Sequence, residues 1–174
     1  MVRFMDGGRI RKGTGGVNQS GVRDHNERLI LSTLQRNGAT SGAEVARRTG
    51  LSPQTVSIIL RKLENDGILR RGEPIRGKVG KPSIPMELNP DGVFSIGMKI
   101  GRRSADLVLL DFSGGVRKQL HTTYPYPLPD AVFGFLEEGL ESLLDGFPEE
   151  QRARVCGIGI GTPFELWKWN DLAG

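Results

Sequence analysis

Gln54, Ser57 and Arg61 lie three and four residues apart in the run SPQTVSIILRKL, so a helix over this stretch presents their polar groups on one face. Glutamine and arginine can each make paired hydrogen bonds to a base edge in the major groove, which is recognition chemistry rather than turnover. Ser52, Thr55 and Lys62 flank them with hydroxyls and an ammonium suited to phosphate oxygens. Groups that do catalysis are sparse by comparison. His25 and His121 are isolated and read as surface or cap residues. Cys156 is the one cysteine, which excludes an internal disulfide and a cysteine-rich zinc site and fits a reducing compartment. It reads as a small apolar residue inside a buried strand. No catalytic constellation, metal site or cofactor is expected.

The elements that position the polar face are two short helices and a tight turn. Ser41 and Glu44 have capping-box spacing at the start of the first. Val45 and Ala46 fall on its inner side, where the small Ala46 lets the next helix cross closely. Gly50 supplies a left-handed residue at the turn, Leu51 plugs it, and Ser52-Pro53 starts the second helix as N-cap and first helical residue. Val56, Ile59, Leu60 and Leu63 recur at i, i+3, i+4 and i+7, a single apolar stripe, with Thr55 and Ile58 flanking the polar face. This is the pattern of a helix-turn-helix, whose second helix enters the major groove. An ordinary helical hairpin with a solvated polar face is the alternative that the pattern leaves open.

Upstream, Asp24 and Glu27 repeat the capping-box spacing, and Leu29, Ile30 and Leu34 give a first helix an inner face up to Asn37-Gly38. After Gly67 the chain extends through Ile68, Leu69 and Arg70 and returns at Met86 to Leu88. Between them lies a loop carrying Arg71, Arg76, Lys78 and Lys81. Three helices and a basic hairpin make a winged helix, with Arg76, Lys78 and Lys81 placed to enter a narrow minor groove, unless the loop is merely solvated. Residues 1–22 read as a flexible basic arm and 23–89 as the winged helix. The turn signal Asn89-Pro90-Asp91-Gly92 opens a second unit over 90–174.

Charge divides at the same place. Up to Asn89 there are 16 Lys and Arg against 8 Asp and Glu; beyond it there are 8 against 12. The first part is drawn to polyphosphate and the second repelled by it. In the second unit Val93–Ile100, Ala105–Phe112 and Leu120–Tyr126 are strand-like. Asp130–Leu144 is helical, with an inner stripe of Val132, Phe133, Leu136, Leu140, Leu143 and Leu144. Val155–Gly161 is a fourth strand, too apolar and glycine-rich to be exposed. The order predicts an α/β domain with a mixed sheet. Its two tryptophans, in FELWKWNDLAG, lack later elements to cover them, so the domain reads as cut short. No run of about eighteen apolar residues occurs and no apolar signal core opens the chain, so a soluble cytoplasmic protein without membrane contact is expected.

In order, GVNQSGVRDHNERLIL, GKVGKPSIPMELN, SIGMKIGRRSADLVLLDFSG and GIGIGTPFELWKWNDLAG resemble the helix entry, the wing, the nucleotide-loop hairpin and the sugar-side strand of the ROK family (repressors, open reading frames and kinases). The resemblance is to its winged-helix regulators and covers nearly the whole chain from Gly16. It implies a winged helix-turn-helix followed by the first part of an actin-like, ribonuclease H-like sugar-kinase domain. It further implies double-stranded DNA and a sugar or sugar-phosphate effector as partners, and a homo-oligomer when complete. Kinase members of the family carry Asp-Ile-Gly-Gly-Thr in the loop where this chain has Lys99, Ile100, Gly101, Arg102 and Arg103. Lysine replaces the acid, and a bulky residue in place of the second glycine obstructs backbone approach to a phosphate, although Lys99 and Arg102 could themselves touch an anion. The expectation is therefore a regulator, with a sugar kinase bearing a DNA-binding domain as the alternative and an inert fragment as a third.

Overall fold

The computed structural model describes residues 19–74 and 84–163. Three helices come first: α1 (Gln19–Asn37), α2 (Gly42–Thr49) and α3 (Pro53–Asn65). α1 starts before the expected cap at Asp24, which lies inside the helix; Glu27, its supposed box partner, instead pairs with Arg23 and Lys62. Ile30 and Leu34 are fully buried, while Leu31, rather than Leu29, packs against the same cluster. The cluster continues through Val45, Val56, Ile59, Leu60 and Leu63, the apolar stripes of α2 and α3.

Two short strands, β1 (Leu69–Arg71) and β2 (Met86–Leu88), pair antiparallel with Leu69 opposite Leu88. Thr40 adds a bridge that spacing alone did not suggest. Its amide donates to Met86 O and its carbonyl accepts from the Met86 amide, both at 2.9 Å. The strand pair is thereby tied to the chain just ahead of α2. The loop carrying Arg76, Lys78 and Lys81 lies outside the described residues, as do residues 1–18 and both tryptophans.

A 3-10 turn at Pro90–Gly92 leads into a mixed sheet of β3 (Phe94–Ile100), β4 (Ser104–Asp111), β5 (Val116–Thr123) and β6 (Val155–Gly161), in the order β5-β4-β3-β6. β3 runs antiparallel to β4 and parallel to β6. The parallel pair is joined by a crossover through α4 (Pro129–Leu144) and the short α5 (Glu149–Arg152). Phe94, Ile96, Met98, Leu107 and Leu109 form the buried side of the sheet, and α4 covers it with Val132 and Leu143. Phe94 meets Phe147 edge to face, with centroids 5.3 Å apart. Phe133 departs from the expected stripe. It is 59% exposed, because the inward line of α4 runs through Val132, Leu136, Gly139 and Leu143, about 100° away around the helix. β5 begins at Val116, ahead of the expected start at Leu120.

β6 is exposed, contrary to its apolar composition. Among the described residues it pairs only with β3, and Cys156, Ile158 and Ile160 all lie open. A strand at the edge of a sheet is covered only if another element packs on it, and composition cannot supply that element.

The winged helix and the sheet meet at a compact joint. Asn89 donates its amide to Ile68 O at 2.9 Å and its side-chain nitrogen to Gly67 O at 2.8 Å. Arg154, at the entry to β6, donates Nη1 to Gly92 O at 3.1 Å. A Cβ on Gly92 would lie 2.7 Å from Gly67 O and 3.1 Å from the Ile68 Cα, both backbone atoms, so only glycine fits there.

Candidate nucleic-acid interface

The polar face of α3 is built from its first residue. Ser52 holds an extended backbone, and its Oγ accepts the Thr55 amide at 3.1 Å; its hydroxyl also meets Thr55 Oγ1 at 2.8 Å. These two candidate phosphate ligands therefore cap the helix and hold each other. Gly50, at φ 71°, turns the chain between α2 and α3 and donates its amide to Ala46 O at 2.9 Å.

Gln54, Ser57 and Arg61 come together on the exposed side of α3, opposite the buried Val56, Ile59, Leu60 and Leu63. Among the described residues none of the three spends its side chain on a hydrogen bond or ion pair, so their donors and acceptors face water. Ile58 flanks them on the side of Gln54, 58% exposed.

Lys62 sits at the edge of this face and is occupied. Its Nζ lies 3.2 Å from Asp66 Oδ2 and 3.2 Å from Glu27 Oε1, and those carboxylates, Asp66 foremost, raise its pKa. It joins α3 to α1, so any phosphate contact by Lys62 is made in competition with two carboxylates. Arg71 Nε donates to Glu64 at 2.7 Å and Arg70 Nε to Glu87 at 2.7 Å. The first of these pairs fixes the base of the wing against the last turn of α3. Arg76, Lys78 and Lys81, beyond that base, are outside the described residues.

The capping box on α2 is made on one side. Ser41 Oγ accepts the Glu44 amide at 3.3 Å, but the Glu44 carboxylate turns to Arg47 Nε at 2.8 Å and Arg48 Nε at 2.6 Å. Those arginines, Arg47 foremost, hold the Glu44 carboxyl at about 2, against an ordinary 4.5. A carboxyl depressed on folding stabilises the folded chain above its unfolded pKa and loses that contribution as the pH falls toward its folded one. The stabilities of the unaltered protein and a Glu44→Gln variant therefore converge as the pH is lowered from 4.5 to about 2. Thermal unfolding across that window checks it, with the gap shrinking further in high salt because the cluster is at the surface.

In the second unit several polar side chains hold strand pairs and turns. Asp106 accepts from His121 Nδ1 at 2.8 Å, so His121 is not isolated, and that bond leads in lowering the Asp106 pKa. Burial pushes Asp111 up, but Ser113, the Gly115 amide and Arg117 outweigh it and hold the carboxyl low, closing the β4–β5 turn. Lys99 lies opposite Asp106 at the end of β3, and the Gly101 amide is committed to Ser104 O at 2.8 Å. Among the described residues no three His, Cys, Asp or Glu side chains are grouped to hold a metal ion, and no helix is long and apolar enough to cross a membrane.

Sequence reasoning did not find Arg154, whose partner Gly92 is 62 residues away and whose guanidinium also packs on Gly67. No local pattern marks such a contact. The exposure of Ile58, by contrast, agrees with its place flanking the polar face and off the buried stripe.

Comparison with known proteins places this geometry. Residues 23–70 match the family model described as winged helix-turn-helix DNA-binding. The chain is 25% identical over 134 residues to the DNA-binding transcriptional dual regulator NagC of Escherichia coli, covering 77% of this chain and 32% of that protein. A transcriptional regulator of Mycobacterium bovis is also 25% identical over 134 residues, with 76% and 30% covered. The chain thus spans about a third of the length of the curated relatives it matches. Among solved structures, a ROK family transcriptional regulator described as a homologue of the E. coli MLC protein superposes with a TM-score of 0.57 at 19% identity. It covers 82% of this chain and 36% of that one, and shows that the winged helix and the mixed sheet occur together in the same fold.

Proposed function

We propose that this chain, a relative of ROK transcriptional regulators carrying a winged helix-turn-helix, is the DNA-reading part of a regulator that represses sugar-metabolism genes in the cytoplasm. The observation that carries the reading is the exposed face of α3, where Gln54, Ser57 and Arg61 have no partners among the described residues, in the domain that matches the DNA-binding family model. Gln54, Ser57 and Arg61 take the bases. Ser52 and Thr55 take phosphates at the helix start, where the backbone dipole favours an anion, and Lys62 joins them at the edge. Arg76, Lys78 and Lys81 serve the wing.

Relatives named as N-acetylglucosamine repressors support a sugar or sugar phosphate as the effector, bound by the protein's second unit. A two-fold symmetric operator would require a homo-oligomer. The rival reading, a sugar kinase, is disfavoured by the β3–β4 turn. Phosphate-binding loops aim backbone amides at the ligand, whereas the Gly101 amide is used inside its own hairpin and Lys99 stands where an acid is wanted. A regulator also fits the relatives, which are transcriptional regulators by name.

Selection of bound duplexes from a random pool by the complete gene product tests the reading. A recurrent two-fold motif is expected, with affinity altered by a hexose, an amino sugar or one of their phosphates. Binding that stays sequence-independent at physiological salt overturns it, and ATP turnover on hexoses at ordinary kinase rates would restore the enzyme.

A further inference from the structure

We infer that Ile58 is a specificity residue that reads a thymine methyl group in the major groove. The inference rests on the DNA-binding reading and adds a base identity to it. The buried apolar residues of α3 are all at 7% exposure or less, so the helix completes its core stripe without Ile58, which is 58% exposed. Four residues after Gln54 and three before Arg61, it neighbours both on the helix surface, at the flank of the polar face. Of the side chains on that face, Gln54, Ser57 and Arg61 carry polar groups able to hydrogen-bond a base edge, and Ile58 alone has only carbon to offer.

The major groove displays one apolar group, the C5 methyl of thymine. An isoleucine is well suited to find it, because β-branching restricts χ1 and little rotamer freedom is lost on contact. A protein partner fits less well. One side chain beside polar groups falls far short of the ~1,000 Å² that a stable protein interface buries.

Deoxyuridine tests this directly, because it differs from thymidine only by that methyl. In the site selected by the unaltered protein, each dT is replaced singly by dU and affinities are measured for the unaltered chain, Ile58→Ala and Ile58→Val. At one position in each half-site the unaltered protein should lose about fourfold in affinity, the worth of one buried methyl-sized group. Ile58→Ala should bind dT and dU alike at that position and respond like the unaltered protein elsewhere, with Ile58→Val between the two. Because Ile58 is exposed, both variants should unfold at the same temperature as the unaltered protein. A site that is bound specifically but shows no dU-sensitive position overturns the inference and leaves the DNA-binding reading intact. So does an Ile58→Ala variant that keeps the whole dT/dU difference. Failure of the unaltered protein to select any site overturns both.

Discussion

An Arg61→Ala variant binds the preferred duplex roughly 5- to 150-fold more weakly than the unaltered protein, the equivalent of about 1–3 kcal/mol for a lost bidentate contact to guanine. The prediction is clean because Arg61 is exposed and bonded to no other described side chain, so its removal leaves the α1–α3 core and the Glu44, Glu64 and Lys62 ion pairs in place. Thermal unfolding should be unchanged while the loss is concentrated on duplexes with guanine at one position. Gel-shift titrations over a set of single-base variants make the measurement. Equal weakening on every duplex, with a salt slope lower by about one, would instead assign Arg61 to a phosphate. Unaltered affinity on the preferred site would remove it from the interface.

Phe94→Ala carries the largest expected loss of stability, about 3–5 kcal/mol for a large aromatic deleted from a packed site. Phe94 is 1% exposed, stacks edge to face on Phe147 and sits at the start of the sheet's central β3, where its amide also holds Arg154 O at 3.0 Å. Two hydrophobic clusters share no residue, one in α1–α3 with β1 and β2, the other in the sheet and α4. The variant should therefore expose amides in β3 to β5 while those of α2 and α3 keep their protection, which hydrogen exchange resolves. Uniform loss of protection across both would mean that the two clusters unfold as one.

Much of this was readable in order along the chain because its signals are local. Ser52-Pro53 marks the start of α3, Gly50 the turn before it, and the 56–59–60–63 stripe its buried face, each a short-range constraint of backbone or period. The strands of the second unit and their mixed pairing followed from alternation and from the intervening helix. What local patterns missed depends on which neighbour, near or far, takes a group that has more than one possible partner. The half-made cap at Glu44 was decided by two arginines competing for its carboxylate. Phe133 and the open β6 were misjudged because hydropathy marks what can be buried, without saying what is there to bury it. Lys62 looked like a free phosphate ligand until Glu27, 35 residues earlier, was found beside it.

The joint at Gly67, Gly92 and Arg154 has a mechanical consequence. Two residues past α3 the chain turns at the left-handed Gly67, whose carbonyl is held by Asn89 and whose backbone packs against Gly92 with no room for a methyl group. A side chain at residue 92 would therefore have to push apart the turn after α3 and the entry to the sheet, so the close approach of the two units is written into a single missing Cβ.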